Sequence, residues 1–194
     1  MDKRKDRYKM INRPQFFTSI RPLFKRLSQS QVDGLNFLLD AFEQDGNLSA
    51  QEMAYMLATA YHETAATMLP IEEYGKGRGR KYGQNIDIDG SRYKGLPHIY
   101  YGRGYVQLTW LTNYKRAGDK ICVDLVNHPE LALNPTYAAQ IMIAGMREGW
   151  FTGKKLSDYI SAKADYVGAR RIINGTDKAQ LIAGYAKQFE SALK

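Results

Sequence analysis

Apolar positions recur at helical spacing in several stretches of the chain. Val32, Leu35, Leu38, Leu39 and Phe42 share one face, with Ser30-Gln31-Val32-Asp33 as a box-like start and Asp45-Gly46-Asn47 as a stop. Ser49-Ala50-Gln51-Glu52 is a better capping box: the Ser49 hydroxyl can accept from the third helical amide while Glu52 reaches back. Met53, Met56, Leu57 and Ala60 then fall on one face, which predicts an inward-packed helix that ends at Glu63, and Pro70 closes the region. Helices are predicted again from near Leu111, after Asn134-Pro135 (a cap followed by proline at the first helical position), and over 177–193. In the last of these Leu181, Ile182, Tyr185, Phe189 and Leu193 line one face.

Between 74 and 104 that pattern is lost. Glycine at 75, 77, 79, 83, 90, 95, 102 and 104 argues for hairpins and loops, with a small hairpin over 84–93 turning at Asp89-Gly90. The fold class that follows is α+β, mainly helical, with a small β-hairpin region in a single domain of 194 residues. Residues 1–25 read as a basic N-terminal segment and 26–194 as the core.

Composition changes this picture little. Hydrophobic residues make up 44% and charged residues 25%, as in ordinary globular domains. No run approaches the roughly 18 apolar residues of a membrane span, and the charged first ten residues lack the apolar stretch of a Sec-type signal. Cys122 is the only cysteine, which excludes an internal disulfide and Cys-rich zinc sites; beside Ile121 and Val123 it reads as a small buried apolar residue. The net charge of +8 draws the chain toward polyanions. Lys3, Arg4, Lys5, Arg7 and Lys9 are interrupted by Asp2 and Asp6, as in a solvated terminus.

The chemistry most compatible with these residues is glycoside hydrolysis. One carboxylic acid protonates the leaving oxygen and a second carboxylate usually assists. Glu63, at the end of an apolar helix and near Tyr61, Met68 and Leu69 in sequence, fits an acid whose pKa burial would raise. Glu72 and Glu73 are the candidates for the second carboxylate, and a separation of about 6.5–9.5 Å from Glu63 would imply inversion. The aromatic, glycine-rich run 100–110 offers a sugar-binding surface; if it is a strand, Gln107 and Thr109 face away from the core. Other chemistries fit poorly. His62-Glu63 lacks the second histidine of a zinc protease because position 66 is Ala, so no metal site is expected there. Asp87-Ile88-Asp89-Gly90 lacks the full spacing of a calcium loop, and the basic loop 75–81 lacks the P-loop pattern, leaving it either a phosphate contact or a mobile loop. No nucleic-acid-binding motif is present, so nucleic acid is not an expected partner.

Three motifs in order resemble glycoside hydrolase family 19, the family of plant-type chitinases and of many phage and prophage endolysins. His62-Glu63-Thr64 resembles its acid motif, the run 101–110 continuing into Asn113-Tyr114 resembles its central signature, and Ile172-Ile173-Asn174-Gly175 resembles its late element. The resemblance implies a lysozyme-like, two-lobed fold with no cofactor. It implies Glu63 as general acid and a second glutamate as general base of an inverting reaction, with Glu73 first and Glu72 in reserve. It implies that Thr109 helps to hold the attacking water, that His62, Gln107, Asn113 and Asn174 stand at substrate-binding positions, and that Tyr101 and Arg103 shape the cleft. The single cysteine and Ala65-Ala66 after the acid motif point to the endolysin branch. The expectation is then a monomeric lysozyme cutting β-1,4 bonds of peptidoglycan, made in the host bacterial cytoplasm and reaching the wall after membrane permeabilisation. A chitinase acting on N-acetylglucosamine polymers, or a non-catalytic wall-binding protein, are the alternatives.

Overall fold

The computed structural model describes residues 10–93 and 98–194. The first helix, α1 (Arg13–Ile20), opens with the Asn12 side chain accepting from the Gln15 amide and proline in its first turn. It lies inside the segment read from sequence as a basic terminus, yet Phe16 and Ile20 are fully buried. Phe16 stacks on Phe189 at 6.4 Å, and Arg13 binds Asp40 at 2.9 Å and Glu43 at 2.5 Å. The boundary at residue 25 is therefore corrected: from α1 onward the chain belongs to the core, and the charged run 1–9 lies outside the described residues.

Helix α2 (Gln29–Asp45) has its N-cap two residues before the box read at Ser30. Ser28 is the N-cap: its Oγ accepts from the Gln31 amide at 3.3 Å, and Gln31 Oε1 accepts from the Ser28 amide at 2.9 Å. Gly46, with φ 66°, ends the helix as expected. Helix α3 (Ala50–Glu63) has the predicted Ser49–Glu52 box, a device worth about 1 kcal/mol. It does not have one apolar face: every residue from 54 to 60 is buried, so α3 is a central helix. Its main partner is α6 (Ala179–Ala192), where Ala179, Ala183 and Ala186 permit close approach. Ile182 and Phe189 point inward on α6 as predicted, whereas Leu181 is 46% exposed, displaced from the core by those alanines.

Helices α4 (Leu111–Ile121) and α5 (Pro135–Glu148) begin where the sequence placed them, α5 under the Asn134 cap. Cys122 corrects its reading: it is exposed and takes φ 56° as the left-handed C-cap of α4. The sheet is minimal. β1 (Ile71–Glu72) pairs antiparallel with β2 (Arg103–Gly104), Ile71 opposite Gly104 and Glu72 opposite Arg103. The expected hairpin over 84–93 is present as a single Ile86–Arg92 bridge. The run after β2 is a turn, not a strand, folding back so that Leu108 bridges Arg103, with Gln107 at φ 52°. The whole is the mainly helical, lysozyme-like arrangement, and among the described residues no helix is long and apolar enough to cross a membrane.

Candidate active site

The site begins at the abrupt end of α3. Thr64, fully buried, donates its hydroxyl to the Ala60 carbonyl at 2.7 Å and accepts from the Met68 amide at 3.2 Å. Ala65, Ala66 and Met68 take left-handed backbone angles (φ 49°, 64° and 58°), a strained turn for residues other than glycine. Two contacts from α2 hold it. Gln31 Nε2 donates to the Ala66 carbonyl at 2.8 Å, and a Cβ on Gly34 would lie 2.2 Å from the Met68 carbonyl oxygen, so only glycine permits this approach. Glu63 is thereby fixed on the last turn of a rigid helix.

The apolar box expected around Glu63 is not what the structure shows. Glu63 Oε1 accepts from Arg170 Nη1 at 2.6 Å. Arg170 is 2% exposed, sits in a 3-10 turn (Gly168–Ile172), and donates from Nε to the Asp177 carbonyl at 2.9 Å. Such a charge-assisted bond fixes one carboxylate oxygen. Oε2 of Glu63 has no protein partner among the described residues.

Glu63 opens onto a cleft of about 390 Å³ and is, among the described residues, the only carboxylate lining it. Gln107, Thr109, Asn113 and Asn174, four of the residues singled out by sequence, line it too. Gln107 also braces the wall, donating from Nε2 to the carbonyls of Ile71 at 3.1 Å and Gly104 at 3.2 Å. Trp110 (φ 73°) meets Tyr82 edge-on at 5.3 Å, and both line the cleft with Arg80, Phe151 and Ile173. Sequence reading passed over Tyr82, Phe151 and Arg170, while Trp110 and Ile173 stood inside the matched motifs and Arg80 in the basic loop without roles of their own. The position of Arg170 just before Ile172-Ile173-Asn174 was the one local signal available.

The two remaining candidate carboxylates have different surroundings. Glu72 Oε1 accepts from the Tyr101 hydroxyl at 2.7 Å, and its carboxylate pairs with Lys76 at 3.1 Å and Arg103 at 3.8 Å. The Tyr101 hydrogen bond, with Lys76 and Arg103, holds the Glu72 carboxyl below its ordinary value. A group depressed on folding stabilises above its unfolded pKa and loses that contribution as pH falls toward its folded value. Glu72→Gln is therefore expected to lower Tm by about 2–4 °C at neutral pH, with the deficit shrinking as pH drops below 4.5. Calorimetric scans of both proteins between pH 3 and 7 check this, and a deficit that stays constant with pH would remove the charge argument.

Glu73 accepts from the Tyr82 hydroxyl at 3.0 Å on both oxygens and from the Gly102 amide at 3.2 Å. It stands one side chain behind the cleft wall, with Tyr82 in front. Burial, reinforced by Glu73, pushes the Tyr82 phenol up to about 12, so it remains a donor at neutral pH.

Three expected binding residues are not on the cleft wall. His62 is half-buried behind Glu63 in sequence and does not line the cleft. Tyr101 and Arg103 are buried: Arg103 Nη1 donates to Tyr114 Oη at 3.0 Å and to the Ile99 carbonyl at 3.2 Å, and the guanidinium lies 3.7 Å from the centre of the Tyr101 ring. Tyr100 and Tyr105 are buried as well, so most of the aromatic run is core supporting the cleft and not a sugar-stacking surface. The calcium-like segment also has a structural task. Asp87 is buried and accepts from the Thr112 amide at 3.2 Å and from the Thr112 hydroxyl, capping α4, whose own N-cap residue Trp110 provides no side-chain cap. No metal-binding group of three or more His, Cys, Asp or Glu occurs among the described residues.

A larger groove of about 700 Å³ lies between α2, the end of α4 and α5. Its charged groups are engaged with one another or with neighbours, Arg147 with Asp45 at 2.5 Å and Lys120 with Glu148 at 3.1 Å. None of the motif residues reaches it, so the Glu63 cleft is the candidate active site.

The family model described as chitinase class I matches residues 37–185. The chain belongs to glycoside hydrolase family 19. Among curated family 19 relatives, endochitinase EP3 of Arabidopsis thaliana is 32% identical over 143 residues, covering 71% of this chain and 48% of that protein. An endochitinase of Pisum sativum is 36% identical over 106 residues, covering 51% of this chain and 33% of the relative. The chain thus spans less than half the length of these relatives. Among solved family 19 structures, a bacterial chitinase superposes with TM-score 0.61 at 24% identity, covering 95% of each chain. A class IV chitinase from Zea mays gives TM-score 0.56 at 20% identity, covering 92% of this chain and 90% of that one. At these identities the structures establish the fold alone.

Proposed function

We propose that this family 19 protein hydrolyses β-1,4 glycosidic bonds in polymers containing N-acetylglucosamine, with inversion at the anomeric carbon. The observation that carries the reading is convergence: among the described residues Glu63 is the sole carboxylate on the wall of a cleft that also gathers Gln107, Thr109, Asn113 and Asn174. Arg170 holds Glu63 Oε1, leaving Oε2 to give its proton to the bridging oxygen as the glycosidic bond breaks. Water held by Thr109 attacks the opposite face of the sugar; its proton passes to the Tyr82 hydroxyl, which gives its own proton to Glu73. Glu73 is preferred over Glu72 because it is bonded to a cleft-lining side chain, whereas Glu72 is tied to Tyr101, Lys76 and Arg103.

Chitin is the favoured polymer, since the curated relatives are endochitinases. Peptidoglycan, put first by the sequence reading, is the second, supported by the net charge of +8. Proton NMR of the first products from chitin oligomers and from purified peptidoglycan distinguishes them and reads the anomer. Inversion requires the α-anomer at first appearance, and initial β-product would sink the two-carboxylate water mechanism. Glu73→Gln is expected to lower kcat by about 10²–10⁴-fold, and Glu72→Gln by less than about tenfold while folded. The reverse ranking would move the base to Glu72.

A further inference from the structure

The loop 75–81 is a built structure that the proposed reaction does not use. Successive turns close it: the amides of Lys76, Arg78, Arg80 and Gly83 donate to the carbonyls of Glu73, Gly75, Gly77 and Arg80 at 2.9–3.0 Å. Gly77 and Gly83 touch backbone to backbone, and a Cβ on Gly83 would lie 1.9 Å from the Gly77 carbonyl oxygen. Gly77, at φ 78°, also packs on the Tyr101 side chain. The loop is therefore anchored to buried Tyr101 and to the turn at Gly83, and glycine is required at both contact points.

It carries Lys76, Arg78, Arg80 and Lys81 and no acid. Lys76 is paired with Glu72. Among the described residues Arg80 has no carboxylate partner and is the only cationic residue lining the cleft that holds Glu63. Its charge also acts on the neighbouring Tyr82 phenol. An exposed cation on a fixed loop at the wall of the Glu63 cleft, without a carboxylate partner among the described residues, is placed to meet a negative charge on the ligand.

We propose that Arg80 is a specificity-determining residue that recognises a carboxylate carried by the glycan, so that the cleft gains on an acidic β-1,4 glycan a contact that neutral chitin does not make. This rests on the glycan-hydrolase reading above and names the substrate class of the same cleft. The carboxylate can belong to a lactyl ether on the sugar or to an attached peptide, and the guanidinium recognises the same group in either case.

The test compares Arg80→Gln with the native protein on neutral chitin oligomers, on peptidoglycan strands stripped of their peptides, and on intact peptidoglycan. The expected result is a loss in kcat/KM of about tenfold on acidic strands and no change on chitin oligomers. Arg80→Lys should restore part of the loss, and Lys187→Gln, which removes the same charge from the exposed face of α6, should cost less than twofold. Loss on stripped strands places the carboxylate on the sugar, and loss on intact material alone places it on the peptide. Equal loss on neutral and acidic glycans, or none on any, overturns the proposal. Binding of the same glycans to Glu63→Gln and to Glu63→Gln/Arg80→Gln, measured by titration calorimetry, decides the matter independently of turnover. If the native protein cleaves none of these glycans, the hydrolase reading fails while the binding comparison still decides the role of Arg80.

Discussion

Glu63→Gln is expected to abolish hydrolysis while leaving the fold intact, with kcat down by about 10³-fold or more and a fall in Tm smaller than that of Arg170→Met, because the amide gives up the charge and keeps the bond. The amide has nearly the shape of the carboxylic acid, and its oxygen can still accept from Arg170 Nη1 in place of Glu63 Oε1. What it lacks is a proton to give at the leaving oxygen. The helix end needs no charge at this position, because Thr64 closes it through Ala60 and Met68. Reducing-end release from chitin oligomers and peptidoglycan, measured beside a thermal scan, checks both halves. Activity within tenfold of native would remove Glu63 from the acid role, and a collapsed Tm would show that the residue is structural.

Arg170→Met should have the largest effect on stability. The substitution leaves Glu63, whose side chain is 16% exposed, facing a thioether, and it strips the Asp177 carbonyl of its donor. Breaking a buried pair from one side costs about 3–5 kcal/mol, which corresponds to a Tm fall on the order of 6–20 °C at this chain length. Turnover should fall as well, since nothing then fixes the acid. The double variant Glu63→Gln/Arg170→Met isolates the cause: with a neutral amide at 63, adding Arg170→Met should cost clearly less than it does in the native protein. If the two costs are equal, the loss comes from packing around the turn and not from the ion pair.

What the sequence made legible was local. The Ser49–Glu52 box, the Asn134-Pro135 start and the Gly46 stop are written within a few residues of one another, and each is found where it was read. The α2 start slipped by two residues because Ser28 and Ser30 both offer a hydroxyl, and only Ser28 places Gln31 at the reciprocal position. The acid and four of its cleft neighbours were legible through motifs. Arg170 was not, because its bond to Glu63 spans 107 residues of chain. Tyrosine misled the reading of 100–110, since a side chain that suits a sugar face equally suits a core with one buried acceptor: the Tyr100 hydroxyl donates to the Val126 carbonyl at 2.8 Å. Neither Glu72, which ends the two-residue strand, nor Glu73 just after it lines the cleft, and which of them bonds to a cleft-lining side chain is set by the path of the chain there, which neither composition nor spacing contains.

The cap that Asp87 supplies ties two distant stretches of chain into one opening unit. The first turn of α4, with Asn113 upon it, can stay wound only while the 84–93 hairpin stays seated. Fraying at either place releases the other, so this side of the groove melts as a block, while the acid rides on the deeply embedded α3 and keeps its position.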